Sequence, residues 1–261
     1  MMKTNAVKIG NIEIGGSAFV TVAGPCSVES LDQLQQTASF VQGQGASILR
    51  GGLFKLRTRP DSFQGLGVEG FDIVHQVKNE TGMPYISEIT DTRQVEELAE
   101  VVDAFQVGSR NMHNYALLKE LGKTQKPILL KRGFSGLIDE WIHAADYIAS
   151  GGNENVILCE RGIRTFETKT RNTFDINAIA YIKQFTPFPI IADPSHGTGM
   201  RELVTPIALA AVAAGADGMI VEVHPNPKEA LSDGYQALNF EDFNQLMNQV
   251  KSLAPLVRKE A

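Results

Sequence analysis

Apolar residues recur along this chain with two periods. Short β-branched runs ending in small or charged residues read FVTVAGPCS from Phe19, SILRGG from Ser47, PYISEI from Pro84 and AFQVGSR from Ala104. They continue as PILLKRG from Pro127, VILCERG from Val156, PIIADPSHG from Pro189 and GMIVEVH from Gly218. Successive starts lie 20 to 37 residues apart, about the length one strand–helix unit requires. Their near-continuous apolar character suits parallel strands buried on both faces. Helical period fills the gaps. Ser30, with Gln33 in a capping-box position, opens a stripe of Leu31, Leu34, Ala38 and Val41, and Asp91 with Gln94 repeats the arrangement before Val95, Leu98 and Val102. Thr205 followed by Pro206 reads as an N-cap with proline at the first helical position. Asn239 caps a last helix striped by Phe240, Phe243, Leu246, Met247, Val250 and Leu253.

Eight strands alternating with about eight helices predict a TIM (β/α)8 barrel. A doubly wound sheet is the alternative, but no G-x-G-x-x-G follows the first strand. The opening VKIGNIEIGG reads as a β-hairpin turning at Gly10-Asn11, placed to close the bottom of the barrel. No linker or compositional shift divides the chain, so residues 1–261 are expected to form one barrel domain, with 1–18 as a hairpin extension.

Composition narrows the class. With 43% hydrophobic and 21% charged residues the chain is of ordinary globular type, which sets aside disorder and coiled coil. Cys26 and Cys159 cannot build a disulfide framework and suit a reducing compartment. The N-terminal segment carries charge and turn residues where a signal peptide needs an apolar run, and the longest apolar stretch, 206–216, is too short to span a bilayer. A net charge of −6 argues against nucleic-acid or anionic-membrane partners. A soluble, cytoplasmic protein is expected.

In a barrel of this kind chemistry sits at the carboxyl ends of the strands. Those positions carry Cys26; Arg50 and Lys55; Glu88; Arg110; Lys131 and Arg132; Glu160 and Arg161; Asp193 and His196; Glu222 and His224. Nine cations fall there, namely Arg50, Lys55, Arg57, Arg59, Arg110, Lys131, Arg132, Arg161 and Arg164. In an acidic protein that concentration predicts a face that gathers anions, with room for two phosphorylated substrates. Taken singly, Arg59 and Arg132 also read as loop charges paired with acids. Cys26, His196, Glu222 and Asp233 form a dispersed set of S, N and O donors, which suits Mn²⁺, Fe²⁺, Co²⁺ or Zn²⁺ rather than Mg²⁺ or Ca²⁺. No local metal-binding spacing joins them. Singly, Cys26 also reads as a small buried hydrophobe and Asp233 as a turn residue before Gly234. Cys159 reads as core packing rather than a nucleophile, and His224, two residues beyond Glu222, as a residue supporting the ligands.

The segments AGPCSVES (23–30), RGGLFKLRTRPDSFQGLG (50–67), LLKRG (129–133), CERGIRTFETKTRNTFDI (159–176), ADPSHGTG (192–199) and EVHPNPKEALSDGYQAL (222–238) together resemble one family. It is 3-deoxy-D-arabino-heptulosonate 7-phosphate (DAHP) synthase, type I-beta. The resemblance implies condensation of phosphoenolpyruvate with erythrose 4-phosphate, releasing phosphate, as the first step of the shikimate pathway. It implies Cys26, His196, Glu222 and Asp233 as ligands of a divalent ion, with Mn²⁺ first in order. Phosphoenolpyruvate would be held by Arg50, Lys55, Arg110, Lys131, Arg161 and His196, and the aldose phosphate by Arg57 and Thr58. Lys55, with its pKa lowered by neighbouring cations, would act as proton donor, His196 would serve the chemistry as well as the ion, and Glu88 would position water. The family's Lys-Pro-Arg-Thr reads Lys55-Leu56-Arg57-Thr58 here, followed by Arg59, which puts the aldose pocket in play. The sister 3-deoxy-manno-octulosonate 8-phosphate synthase, using arabinose 5-phosphate, usually has Lys-Ala-Asn at this point, so Arg57-Thr58 favours the four-carbon sugar. A metal-dependent phosphosugar aldolase and a non-catalytic phosphosugar sensor are the readings from other classes. Relatives are often tetramers or dimers, so a homo-oligomer is expected. The short flanks of the barrel lead to an expectation of little feedback inhibition by aromatic amino acids.

Overall fold

The computed structural model describes residues 3–57 and 59–257. Thr58 therefore lies outside the described residues. A hairpin of β1 (Val7–Ile9) and β2 (Ile12–Ile14) comes first. Eight strands follow, namely β3 (Val20–Gly24), β4 (Ile48–Arg50), β5 (Tyr85–Ile89), β6 (Ala104–Val107), β7 (Ile128–Lys131), β8 (Val156–Glu160), β9 (Ile190–Ala192) and β10 (Gly218–Glu222). They pair in parallel in sequence order, and β10 closes onto β3. Helices α1 (Leu31–Gly43), α2 (Phe71–Thr81), α3 (Val95–Ala99), α4 (Tyr115–Gly122), α5 (Ile138–Ala149) and α6 (Ile176–Phe185) connect successive strands. A single turn, α7 (Pro194–Thr198), and then α8 (Arg201–Ala213) lie between β9 and β10, and α9 (Phe240–Val257) ends the described chain. This is the expected (β/α)8 barrel with its N-terminal hairpin.

Strand parity divides the core in two. Val20, Val22, Ile48, Ile86, Ala104, Leu129, Ile157, Cys159, Ile191 and Ile220 point into the barrel, where Val7, Ile9 and Ile14 of the hairpin join them. Their strand neighbours, such as Leu49, Phe105, Leu130, Leu158 and Val221, pack outward under the helices. Because side chains alternate faces along a strand, the residue two beyond each inward apolar group also faces inward, at the carboxyl end. Those residues are Arg50, Glu88, Gln106, Lys131, Arg161, Asp193 and Glu222. The barrel is thus apolar and plugged at one end, and ionic at the other.

Local signals account for most element boundaries. Ser30 Oγ accepts from the Gln33 N–H, while the Gln33 side chain reaches back to the Glu29 N–H rather than to the cap residue itself. Asp91 and Gln94 form a complete capping box, which opens a 3₁₀ turn ahead of α3. Asn239 Oδ1 accepts from the Asp242 N–H at 2.8 Å, capping α9. The expectation at Thr205-Pro206 is overturned, since α8 begins at Arg201 and Pro206 lies inside it. Arg201 fixes that earlier start by donating to the carbonyls of Ala237 (2.7 Å) and Gly234 (3.1 Å). Pro206 and Glu202 are both exposed, so water can satisfy the carbonyl that the proline leaves without a helical partner. The short helix α7 was not anticipated. Its signal is Asp193-Pro194, an N-cap followed by proline at the first position.

Candidate active site

Cys26, His196, Glu222 and Asp233 converge at the ionic end, with one donor atom from each lying within 4.8 Å of all the others. Cys26 follows β3, Glu222 ends β10, His196 sits on α7, and Asp233 comes from the loop between β10 and α9. Asp233 holds φ +52°, the one non-glycine residue with positive φ among the described residues. Its conformation is fixed by the Gln236 N–H, which donates to its carbonyl at 3.1 Å, and by Glu29, which accepts from Leu231 two residues earlier. His196 Nε2 lies 3.3 Å from Glu222 Oε1 and 3.9 Å from Asp233 Oδ2. Its Nδ1 is buried 2.8 Å from Asp193 Oδ2 yet out of line for a hydrogen bond to it. Asp193 also caps α7 through the His196 N–H and accepts from Lys131 Nζ at 2.6 Å.

Electrostatics suit these four groups to a divalent cation. Burial, with Glu222 beside it, pushes the Cys26 thiol up to about 12, so without a cation it holds its proton. Burial also lowers His196, leaving a neutral imidazole with a lone pair to offer, although Asp193 and Glu222 pull the other way. Burial alone would raise the two carboxyls, but His196 and the surrounding cations outweigh it. Asp233 settles at about 2, and Glu222 also falls below its usual value. One soft thiol, one imidazole and two carboxylates form the mixed donor set that borderline divalent metals take, and Asp193 stands behind the imidazole as a supporting carboxylate does in such sites. The residues present fit a metal ion.

Cations surround that cluster. Arg50, Lys55, Arg57, Arg59, Arg110, Lys131, Arg161 and Arg171 line a solvent-open cleft, together with Glu88, Gln106, Phe134, His196 and Asp233. Arg50 donates to Glu222 Oε1 at 3.1 Å, and Arg57 donates to Ser232 Oγ. Lys55 Nζ lies 3.2 Å from Cys26 Sγ and 3.7 Å from Glu88 Oε2. Glu88 in turn depends on Gly108, where a Cβ would come within 2.1 Å of Oε1.

Four expectations need correction. Burial pulls the Lys55 ammonium down, but the carboxylates of Glu88 and Glu222 pull it up, and its pKa rises instead of falling. Arg132 is not part of the cleft. As the outward neighbour of Lys131, it pairs with Glu160 (3.0 Å) and Asp175 (2.9 Å) over the Trp141 ring. Arg164 does not line the cleft either, and Arg59, which does, pairs with Asp61 in solvent. His224 lies 3.4 Å from Glu29 rather than against a ligand. Arg171, Gln236 and Gln106 were missed. Arg171 donates to Gln236 Oε1 (2.9 Å), and Gln236 donates to Glu222 Oε2 (2.6 Å), which ties the loop after β8 to the donor cluster. A buried glutamine in the otherwise apolar AFQV strand was the available sign for Gln106.

Residues 2–259 match the model of the DAHP synthetase I family. The chain is 48% identical to a phospho-2-dehydro-3-deoxyheptonate aldolase of Thermotoga maritima, over 95% of this chain and 73% of that one. It superposes on the crystal structure of the phospho-2-dehydro-3-deoxyheptonate aldolase (DAHP synthase) of that organism with a TM-score of 0.95 at 46% identity, covering 98% of this chain and 75% of the other. A 2-dehydro-3-deoxyphosphooctonate aldolase of Geobacter sulfurreducens is more distant, at 31% identity over 98% of this chain and 100% of its own length.

Proposed function

The chain belongs to the DAHP synthetase I family, and from that premise we propose how the cleft performs the family's reaction. The activity is condensation of phosphoenolpyruvate with erythrose 4-phosphate to give 3-deoxy-D-arabino-heptulosonate 7-phosphate and phosphate, the first step of the shikimate pathway. The observation that carries the site assignment is that the donor cluster and the cation-lined cleft share one wall, with His196 and Asp233 belonging to both.

Arg110, Lys131 and Arg161 hold the phosphate of the enol ester, and Arg50 and Lys55 stand by its carboxylate. Arg57, from the segment that also carries Thr58, receives the phosphate of the aldose. Cys26, His196, Glu222 and Asp233 would hold the divalent ion; their mixed S, N and O donors suit a borderline divalent metal, and the family resemblance puts Mn²⁺ first. When bound, the ion supplies Lewis acidity toward the aldehyde oxygen. C3 of the enol ester forms the new bond to the aldehyde carbon, and Lys55 gives its Nζ proton to the oxygen that becomes a hydroxyl. Glu88 orients the water that adds to C2 and takes the proton it sheds, which returns to the neighbouring Lys55. The C2 hydroxyl then gives its proton to the leaving phosphate as C2 becomes a ketone and the C2–O bond to phosphate breaks, and the phosphate stays stabilised by Arg110, Lys131 and Arg161.

The test is phosphate release with Mn²⁺, phosphoenolpyruvate and either erythrose 4-phosphate or arabinose 5-phosphate, repeated after chelation. Chelator-sensitive release with the four-carbon sugar is expected. Preference for the five-carbon sugar would show that Leu56 and Arg59 re-cut the aldose pocket, and full turnover in metal-stripped buffer would sink the metal assignment.

A further inference from the structure

Three guanidinium groups gather on one aromatic ring at the wall of the cleft. The guanidinium carbons of Arg164, Arg161 and Arg110 lie 4.6, 4.9 and 5.4 Å from the centroid of Phe134. They come from different segments. Arg110 belongs to the 3₁₀ turn after β6, whereas Arg161 and Arg164 follow β8. Phe134 lies on the loop after β7, the strand between those two in the barrel. The Arg164 N–H donates to the Phe134 carbonyl at 2.7 Å, which fixes the ring against the β8 loop.

Like charges held together need a reason to stay. Sharing one ring holds the three charges close to one another, where they repel. Burial also costs Arg161, whose pKa is pulled down to about 10. An aromatic face attracts guanidinium through its quadrupole, and the attraction grows as the pair is desolvated. The ring therefore keeps two of the cleft's arginines, Arg110 and Arg161, in place before any anion arrives. That removes part of the ordering cost from binding. Phe134 lines the cleft and is half-buried, so it is not simply a core residue.

We infer that Phe134 is a positioning residue whose ring pre-assembles the arginine cradle for phosphoenolpyruvate. The inference rests on the assignment of Arg110 and Arg161 to that phosphate. The experiment compares Phe134→Leu, Phe134→Trp and Arg161→Ala by calorimetric binding of phosphoenolpyruvate without aldose, and by steady-state KM for each substrate. Phe134→Leu keeps the side chain apolar and removes the quadrupole. It should weaken phosphoenolpyruvate binding and raise its KM about tenfold, the size expected from losing contacts of this kind. KM for erythrose 4-phosphate should stay within about twofold, and Phe134→Trp, which keeps a π face, should bind like the parent. If Phe134→Leu binds normally while Arg161→Ala does not, the inference fails and the cradle stands. Equal losses in the leucine and tryptophan variants, or equal rises in both KM values, also overturn it, because they point to packing. If Arg161→Ala leaves binding unchanged, the cradle assignment falls and takes this inference with it.

Discussion

At the scale of single residues, the donor atom with most to lose is the Cys26 sulfur. Its thiol, pushed to about 12 by burial, is protonated at every ordinary pH, so a cation that takes the thiolate must expel a proton. Apparent metal affinity should then rise with pH, approaching tenfold per pH unit below the thiol pKa, with one proton released per ion from this group. Calorimetry of Mn²⁺ binding in buffers of different ionisation heat reads that proton directly, and no release would place the sulfur outside the ligand set. Cys26→Ala should lose metal-dependent turnover and keep its fold, since Cys26 touches Ser232, Lys55 and Asp233 rather than the apolar core. Sequence alone brought forward the cysteine, the histidine and the cations. It did not show Arg171 or Gln236, because their part depends on two loops meeting across the barrel mouth, and no local pattern encodes that meeting. The raised pKa of Lys55 escaped for the same reason. Its cationic neighbours are close in sequence, but the Glu88 carboxylate is brought to it only by the fold.

Elements show why most of the site was nevertheless legible. A strand that reads apolar–apolar–apolar–ionic has fixed which face its last residue takes, so parity sends Lys131 into the cleft and Arg132 out beneath Trp141. Counting charges at strand ends without counting parity merges those two classes, which is how Arg132 came to be placed among the ligand-binding cations. Helix starts follow similar rules, yet tertiary anchors override them at α8. Asn239→Ala removes a cap that accepts from Asp242 and should cost about 1 kcal/mol. Pro206→Ala, by contrast, restores the helical bond to the Glu202 carbonyl and should stabilise the chain by about 1 kcal/mol or more, raising the thermal midpoint by about 2–4 °C. Differential scanning calorimetry of both variants checks the pair. A midpoint that falls in Pro206→Ala would mean the proline holds α8 rather than straining it.

On the scale of the whole molecule, stability and chemistry occupy opposite ends of one barrel. Ile9 and Ile14 of the hairpin are fully buried against the inward residues of the strands, while every ionisable group of the cleft lies at the other end. Among the described residues no helix is long and apolar enough to cross a membrane. The hairpin was readable from its alternation and its Gly10 turn, but its place as a plug depends on the closed circle of strands above it. Ile9→Ala opens a cavity in a close-packed layer and should cost about 2–5 kcal/mol. The layers between that cavity and the cleft are filled by residues from all eight strands, which resist displacement because the interior is packed without slack. KM for both substrates and the affinity for Mn²⁺ should therefore stay within about twofold at temperatures where the variant is folded, even as its denaturant midpoint falls. A variant that lost stability and substrate affinity together would show that the barrel transmits strain from its plugged end to its ionic mouth, and that the two ends are coupled.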